Sequence, residues 1–278
     1  MQDGSFYPMD VQGARPSEMI NTRISFWSAM RAGRTLEGTQ YHLKYLGYRA
    51  WVGKNSSGAI IAVICDGVSR ARGPLMAEHL STEVSRAVGT PPASLIEAAQ
   101  KGWANARREA GNEVSASTIT AVQIQGNKAH YIHVGDSRFY ILRNGQLTQI
   151  TKDHNEYSQR VQDLMTNQKL SLDAARNQAD REGAKKNKLT KAIRTDYRRM
   201  TQPDIGKVRV FHGDVLLLVS DGIEKYIKDN HLKTALEATL NNHPQNPAVA
   251  LVDMALTRGQ ALRKEQIDDI SAVMLKLE

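Results

Sequence analysis

The chain reads as one α+β domain in which helices cover sheets, and three observations predict it. Apolar runs of strand length end in Asp-Gly at VICDG and LLVSDG. Amphipathic stretches of helix length separate groups of strands, giving the order strands, helices, strands, helices and a last strand. No internal repeat occurs at solenoid periods. With 278 residues, 41% of them hydrophobic, the chain can bury one large core.

Taken in order, residues 1–32 form an N-terminal extension. Ile20, Ile24, Trp27 and Met30, three or four apart, predict a short helix there, packed on the outside of the main domain. From about 43 to 65, YLGYRAWV, a turn at KNSSG and AIIAVIC predict a hairpin that ends at Asp66. Residues 74–88 predict a helix, with Pro74 near its start and Met76, Leu80, Val84 and Val88 on one face. Residues 92–110 predict a second, with Leu95, Ala99, Trp103 and Ala106 inward. STITAVQIQG, NKAHYIHVGD and SRFYILRNGQLTQI then read as a three-strand meander turning at Gly126-Asn127, Gly135-Asp136 and Asn144-Gly145. Residues 155–200 are polar and helical. KVRVF and DVLLLVS are strands, 229–241 and 247–262 are amphipathic helices, and SAVMLKL closes the chain as a strand.

Carboxylates stand at the ends of these strands. Asp66 and Asp221 follow apolar runs, Asp136 follows AHYIHV, and Asp268-Asp269 precede SAVMLKL. Strands ending in Asp66 and Asp221, side by side, would bring both acids to one end of a sheet. One Asp-Gly is an ordinary hairpin signal; recurrence at strand ends, in a chain with no Cys or His cluster, points to hard divalent cations such as Mg²⁺ or Mn²⁺. Cys65 precedes Asp66, but a cysteine phosphatase needs an Arg six positions later, where Ala71 stands. Cys65 therefore reads as a small buried apolar residue. A single cysteine excludes an intramolecular disulfide and fits a reducing cytoplasm. No run approaches the about 18 apolar residues of a membrane span, and MQDGSFYPMD carries no secretory signal.

The net charge of +8 is concentrated in residues 181–199, where eight Lys or Arg face only Glu182 and Asp196. This is either a solvated helix face or a docking surface for phosphate or an acidic peptide. Nucleic-acid binding is the outlying reading, since no zinc-finger spacing, RNA-binding aromatic motif or helix-turn-helix accompanies the charge.

Asp66-Gly67, Val134 to Arg138 (VGDSR), Asn144-Gly145, Thr151 to His154, Asn187 to Ala192, Gly213 to Gly222 and Asp268-Asp269 occur in an order that resembles the metal-dependent protein phosphatases of the PPM (type 2C) family, bacterial type. The resemblance covers residues 33–278, taken as the domain. It implies a four-layer α-β-β-α sandwich of two antiparallel sheets flanked by helices, with two Mn²⁺ or Mg²⁺ ions at one edge. It implies that Asp66 bridges both ions, that the Gly67 carbonyl binds the second, and that Asp221 and Asp268 complete the first. Asp136 matches the acid that helps hold a third, looser ion. Residues 155–200 match the flap beside the active site, which holds the basic cluster. The implied activity is hydrolysis of phosphoserine and phosphothreonine in proteins by a metal-activated water, with a phosphoprotein as substrate and a kinase or its targets as partners. The sequence offers no covalent route, having neither Cys-x5-Arg nor Gly-x-Ser-x-Gly.

The first motif departs from the family. In AGRTLEGTQYHLKYLGYRAWV, Gln40 matches the Glu or Gln of the motif, which puts Tyr41 where an Asp belongs. With a pKa of about 10, Tyr is a poor ligand for a hard metal; a shifted loop would let Glu37 or His42 take the place. Arg34 is the candidate phosphate-binding Arg, or else a surface residue, since its spacing to Gln40 is longer than usual. Val68 replaces a His found in eukaryotic members, and Ser69 replaces a common Gly. The competing reading is a pseudophosphatase that binds phosphoproteins or partners without turnover.

Overall fold

The computed structural model describes residues 23–31, 48–68, 73–262 and 267–278. Two five-stranded antiparallel sheets face each other. One has the order β1 (Ile24–Arg31), β12 (Ile270–Leu277), β11 (Val215–Val219), β7 (Arg138–Arg143), β8 (Gln146–Gln149). The other has the order β10 (Asp204–Arg209), β6 (Lys128–Val134), β5 (Ile119–Gln125), β3 (Ile60–Asp66), β2 (Tyr48–Lys54). The expected sandwich of two antiparallel sheets flanked by helices is the observed architecture.

The period of two along each strand assigns its faces. Ala62 and Ile64 of β3, Val122 of β5, Phe139 and Ile141 of β7, Leu216 and Leu218 of β11, and Val273 and Leu275 of β12 meet between the sheets. The alternate residues of β3, Ile61, Val63 and Cys65, pack outward on α1 (Gly73–Ser85) and α2 (Ala93–Ala110). The outward faces of β11 and β12 lie under α5 (Asp221–Tyr226), α6 (Asp229–Asn242) and α7 (Pro247–Ala261). Burying each such aliphatic side chain contributes about 1.5–3 kcal/mol. Cys65 is buried among them, as expected, and burial pushes its thiol pKa up, which suits packing and not nucleophilic attack.

Three expectations are corrected. Residues 24–31 are not part of an outer helix: β1 pairs with β12 from Ile24↔Leu277 to Arg31↔Ile270. The meander is not a meander, because β6 and β7 belong to different sheets, so Gly135-Asp136 is a crossing from one sheet to the other. For the same reason β3 and β11 are not neighbours in one sheet; they face each other across the sandwich. The Asn144-Gly145 hairpin does join β7 to β8, with positive φ at both residues (49° and 72°) as a type I′ turn requires.

Residues 155–200 carry α3 (Glu156–Asn167) and α4 (Leu172–Arg181), capped by Asn155 and Ser171. Val161, Leu164, Ala175 and Ala179 form their own small core. The segment is tied back by a two-stranded sheet of β4 (Ala116–Ser117) and β9 (Ile193–Arg194).

Candidate active site

Asp66 is the last residue of β3 and has the parity of Ala62 and Ile64, so it stands on the inter-sheet side. Its N–H donates to Thr118 Oγ1 (3.1 Å), and its carbonyl accepts from the Thr118 N–H (2.8 Å). Gly67 bridges Ser117, and the Val68 N–H donates to the Ala116 carbonyl (2.9 Å). Thr118 Oγ1 also lies 2.9 Å from Ser137 Oγ. The VGDSR segment is thereby fastened to the Asp66 strand, with Asp136 between two anchored residues. Gly135 has φ +112°, and a Cβ there would collide with the Thr118 side chain. The glycine is required by close approach as well as by backbone sign.

Asp221 begins α5, which the sequence reading missed; a six-residue helix is too short to show a periodic pattern. A Cβ on Gly222 would collide with the Asp269 carbonyl oxygen, so this glycine lets α5 sit against the segment before β12. The Asp268 N–H donates to the Tyr226 hydroxyl (2.8 Å), and the Ser271 N–H to Ser220 Oγ (3.0 Å). These contacts set Asp221 and Asp268 beside each other, with Lys225 bridging them: its Nζ is 2.7 Å from Asp221 and pairs with Asp268.

The four acids act on one another. Asp66 is pushed well above the usual carboxylate range, first by burial and then by the charges of Asp221, Asp136 and Asp268, with Lys225 opposing. Asp136 is raised to about 7 by burial, then by Asp221 and Asp153. On Lys225, burial works against the charge, but Asp221 and Asp268 prevail and its pKa is raised. The sequence-predicted Asp66, Asp136, Asp221 and Asp268 are thus one electrostatic unit. Arg34, Glu37, Gln40, Tyr41, His42 and Ser69 lie outside the described residues.

Two tests of metal fit give different answers. The donor set of buried or half-buried carboxylates, two of which (Asp66 and Asp136) are raised by burial and then by neighbouring acids, matches a hard divalent cation. Among the described residues, however, no three His, Cys, Asp or Glu side chains are gathered into a ready cage. Asp221 and Asp268 are turned onto the ammonium of Lys225. The chemistry of the donors fits the metal.

Arg138 and Asp153, which the sequence reading carried in its motifs without a role, border the site, as do Glu224, Lys225 and Lys228, which it missed. Arg138 donates to both oxygens of Asp153 (2.8 and 2.7 Å) and pairs with Glu224 (2.7 Å), joining β7 and the segment after β8 to α5. A cleft of about 230 Å³ is lined by Asp136, Asp221, Lys225 and Lys228 on one side and by Lys186 and Asn187 of the flap on the other. The basic cluster is less bare than its count suggests. Lys188 pairs with Glu156 (3.4 Å), Lys191 with Asp204 (2.7 Å) and Arg194 with Asp196 (2.8 Å).

Comparison with known proteins points the same way. The family model described as protein phosphatase 2C matches residues 53–262. The serine/threonine protein phosphatase PstP of Mycobacterium tuberculosis is 31% identical over 147 residues, which are 53% of this chain and 26% of the relative; this chain thus spans about a quarter of that protein. The PPM Ser-Thr phosphatase MsPP of Mycobacterium smegmatis, solved with cacodylate, superposes with a TM-score of 0.69 at 22% identity, covering 91% of this chain and 98% of the other. The catalytic domain of PstP, solved with two manganese ions, gives 0.65 at 21%, covering 91% and 98%.

Proposed function

The chain belongs to the protein phosphatase 2C family, and we propose on that footing that it hydrolyses phosphoserine and phosphothreonine in proteins with the help of two Mn²⁺ or Mg²⁺ ions. The observation that carries this reading is the convergence of Asp66, Asp136, Asp221 and Asp268 from two facing sheets onto one partly buried cluster whose charges act on Asp66. Asp66 and the Gly67 carbonyl would help hold the two ions. Asp221 and Asp268 would hold them as well, and Asp136 would help hold a further, looser ion. When bound, such ions neutralise phosphate oxygens and make a water nucleophilic at neutral pH. The chain's own contribution is to fix these carboxylates: Thr118 and Ser137 hold Asp66 and Asp136, while Gly222 and Tyr226 hold Asp221 and Asp268. Arg34 would hold the substrate phosphate.

A protein phosphorylated by a serine/threonine kinase would be the substrate, and its side chains would extend along the cleft beside Lys186 and Lys228. The lone, buried Cys65 fits the reducing cytoplasm we assign. Among the described residues no helix is long and apolar enough to cross a membrane.

The test is hydrolysis of p-nitrophenyl phosphate and of a phosphothreonine peptide, with Mn²⁺ and with excess chelator. Turnover is expected only with metal, and Asp66→Asn should lower it by roughly a hundredfold, since it would take a charged ligand from the metal site. No turnover at any Mn²⁺ concentration would leave a phosphoprotein-binding module.

A further inference from the structure

Lys225 occupies a singular place in the acid cluster. Its Nζ lies 2.7 Å from Asp221, one helical turn earlier on α5, and also pairs with Asp268. Its backbone cannot drift from these acids. α5 is pressed on the Asp269 carbonyl at Gly222, and the Tyr226 hydroxyl accepts the Asp268 N–H. The ammonium itself can leave, because it rides on a flexible four-carbon stem and its side chain is 38% exposed. It also lines the cleft of about 230 Å³ that opens beside Asp136 and Asp221, which gives the stem somewhere to go. Among the described residues Lys225 is the cation that opposes the raised carboxyls of Asp66 and Asp136, and two further acids of the cluster point at its ammonium.

We propose that Lys225 is a tethered placeholder cation that occupies Asp221 and Asp268 until a divalent ion displaces it, so that loading this site exchanges an ammonium for a metal. This rests on the phosphatase reading and adds to it a device that raises the metal concentration needed for loading. A monovalent ammonium competes poorly with a divalent ion for several carboxylates at once, so the exchange proceeds once enough metal is present.

Calorimetric titration of the chelator-treated full chain with Mn²⁺ tests this. Lys225→Met keeps the stem and removes the charge, and should bind Mn²⁺ at least roughly tenfold more tightly; Lys225→Arg should bind no more tightly than the unaltered chain. A second measurement needs no variant. Acetic anhydride should label Lys225 slowly in chelator and several-fold faster in saturating Mn²⁺, read by peptide mass spectrometry, with exposed Lys101 as the reference. Unchanged or weaker Mn²⁺ binding in Lys225→Met overturns the proposal. So does metal-independent labelling of Lys225 in a protein that demonstrably binds Mn²⁺. No Mn²⁺ binding by either the unaltered chain or Lys225→Met overturns the phosphatase reading itself, and the proposal with it.

Discussion

A missing methyl group at Gly222 sets the distance between two carboxylates. Any Cβ there meets the Asp269 carbonyl, so α5 and the strand entry at Asp268 would have to separate. Gly222→Ala should therefore cost roughly 1–3 kcal/mol, as overpacking against backbone does, and should weaken Mn²⁺ binding in parallel. Chemical denaturation and a Mn²⁺ titration check both; full stability with full affinity would show that the segment yields freely. At this scale the sequence was informative about acids and silent about their supports. Asp66, Asp136, Asp221 and Asp268 were legible because each sits at the end of an apolar run. Gly222 looked like half of a turn signal, whereas its use is close backbone approach. Lys225 was invisible as a partner of Asp221 because the i,i+4 relation needs α5, which is too short to leave a pattern.

Among the elements, the flap shows how pairing trims a charge cluster. Of the basic residues in 181–199, Lys188, Lys191 and Arg194 have acidic partners, while Lys186 stacks on the Tyr157 ring (4.5 Å) and lines the cleft beside Asp221. Lys186→Gln should therefore lower kcat/KM on a phosphopeptide by roughly fivefold or more, through lost electrostatic complementarity, and lower it less on p-nitrophenyl phosphate, which does not extend along the cleft. Lys188→Gln should have the smaller effect on the peptide. Equal losses on both substrates would return the cluster to a solvated face. The longer helices α1, α2, α6 and α7 and the Asn144-Gly145 hairpin were legible because they are local. The sheet order was not: Ile24, Trp27 and Met30 fit a helical spacing, and only pairing with β12, far along the chain, makes the segment a strand. Gly135-Asp136 looked like a hairpin turn because β6 and β7 both carry buried residues, and that pattern does not reveal a change of sheet.

For the whole molecule, the decisive fact is that the acids come from both layers. Asp66 ends a strand of one sheet and Asp136 follows another strand of that sheet, while Asp221 and Asp268 flank strands of the facing sheet. A divalent ion held by all of them would fasten the layers together and offset the repulsion among the acids. The pH dependence follows from the raised pKa values. Folded Asp66 and Asp136 keep protons that the unfolded chain, with carboxyls near 4, releases. Their contribution is fully present below about pH 4 and is lost as pH rises through the folded values, which for Asp136 is about 7. Part of the stability of the chelated protein should therefore disappear between pH 5 and roughly 7.5. Mn²⁺ at a hundred times its Kd adds about 2.7 kcal/mol, or roughly 5–10 °C in Tm for a domain of this size. Because it neutralises the charges that repel at high pH and displaces protons at low pH, its effect should be larger at pH 7.5 than at pH 5. Thermal melts in chelator and in Mn²⁺ at both values decide the matter: an equal shift at the two pH values would mean that the ion does not bind the acids that join the sheets.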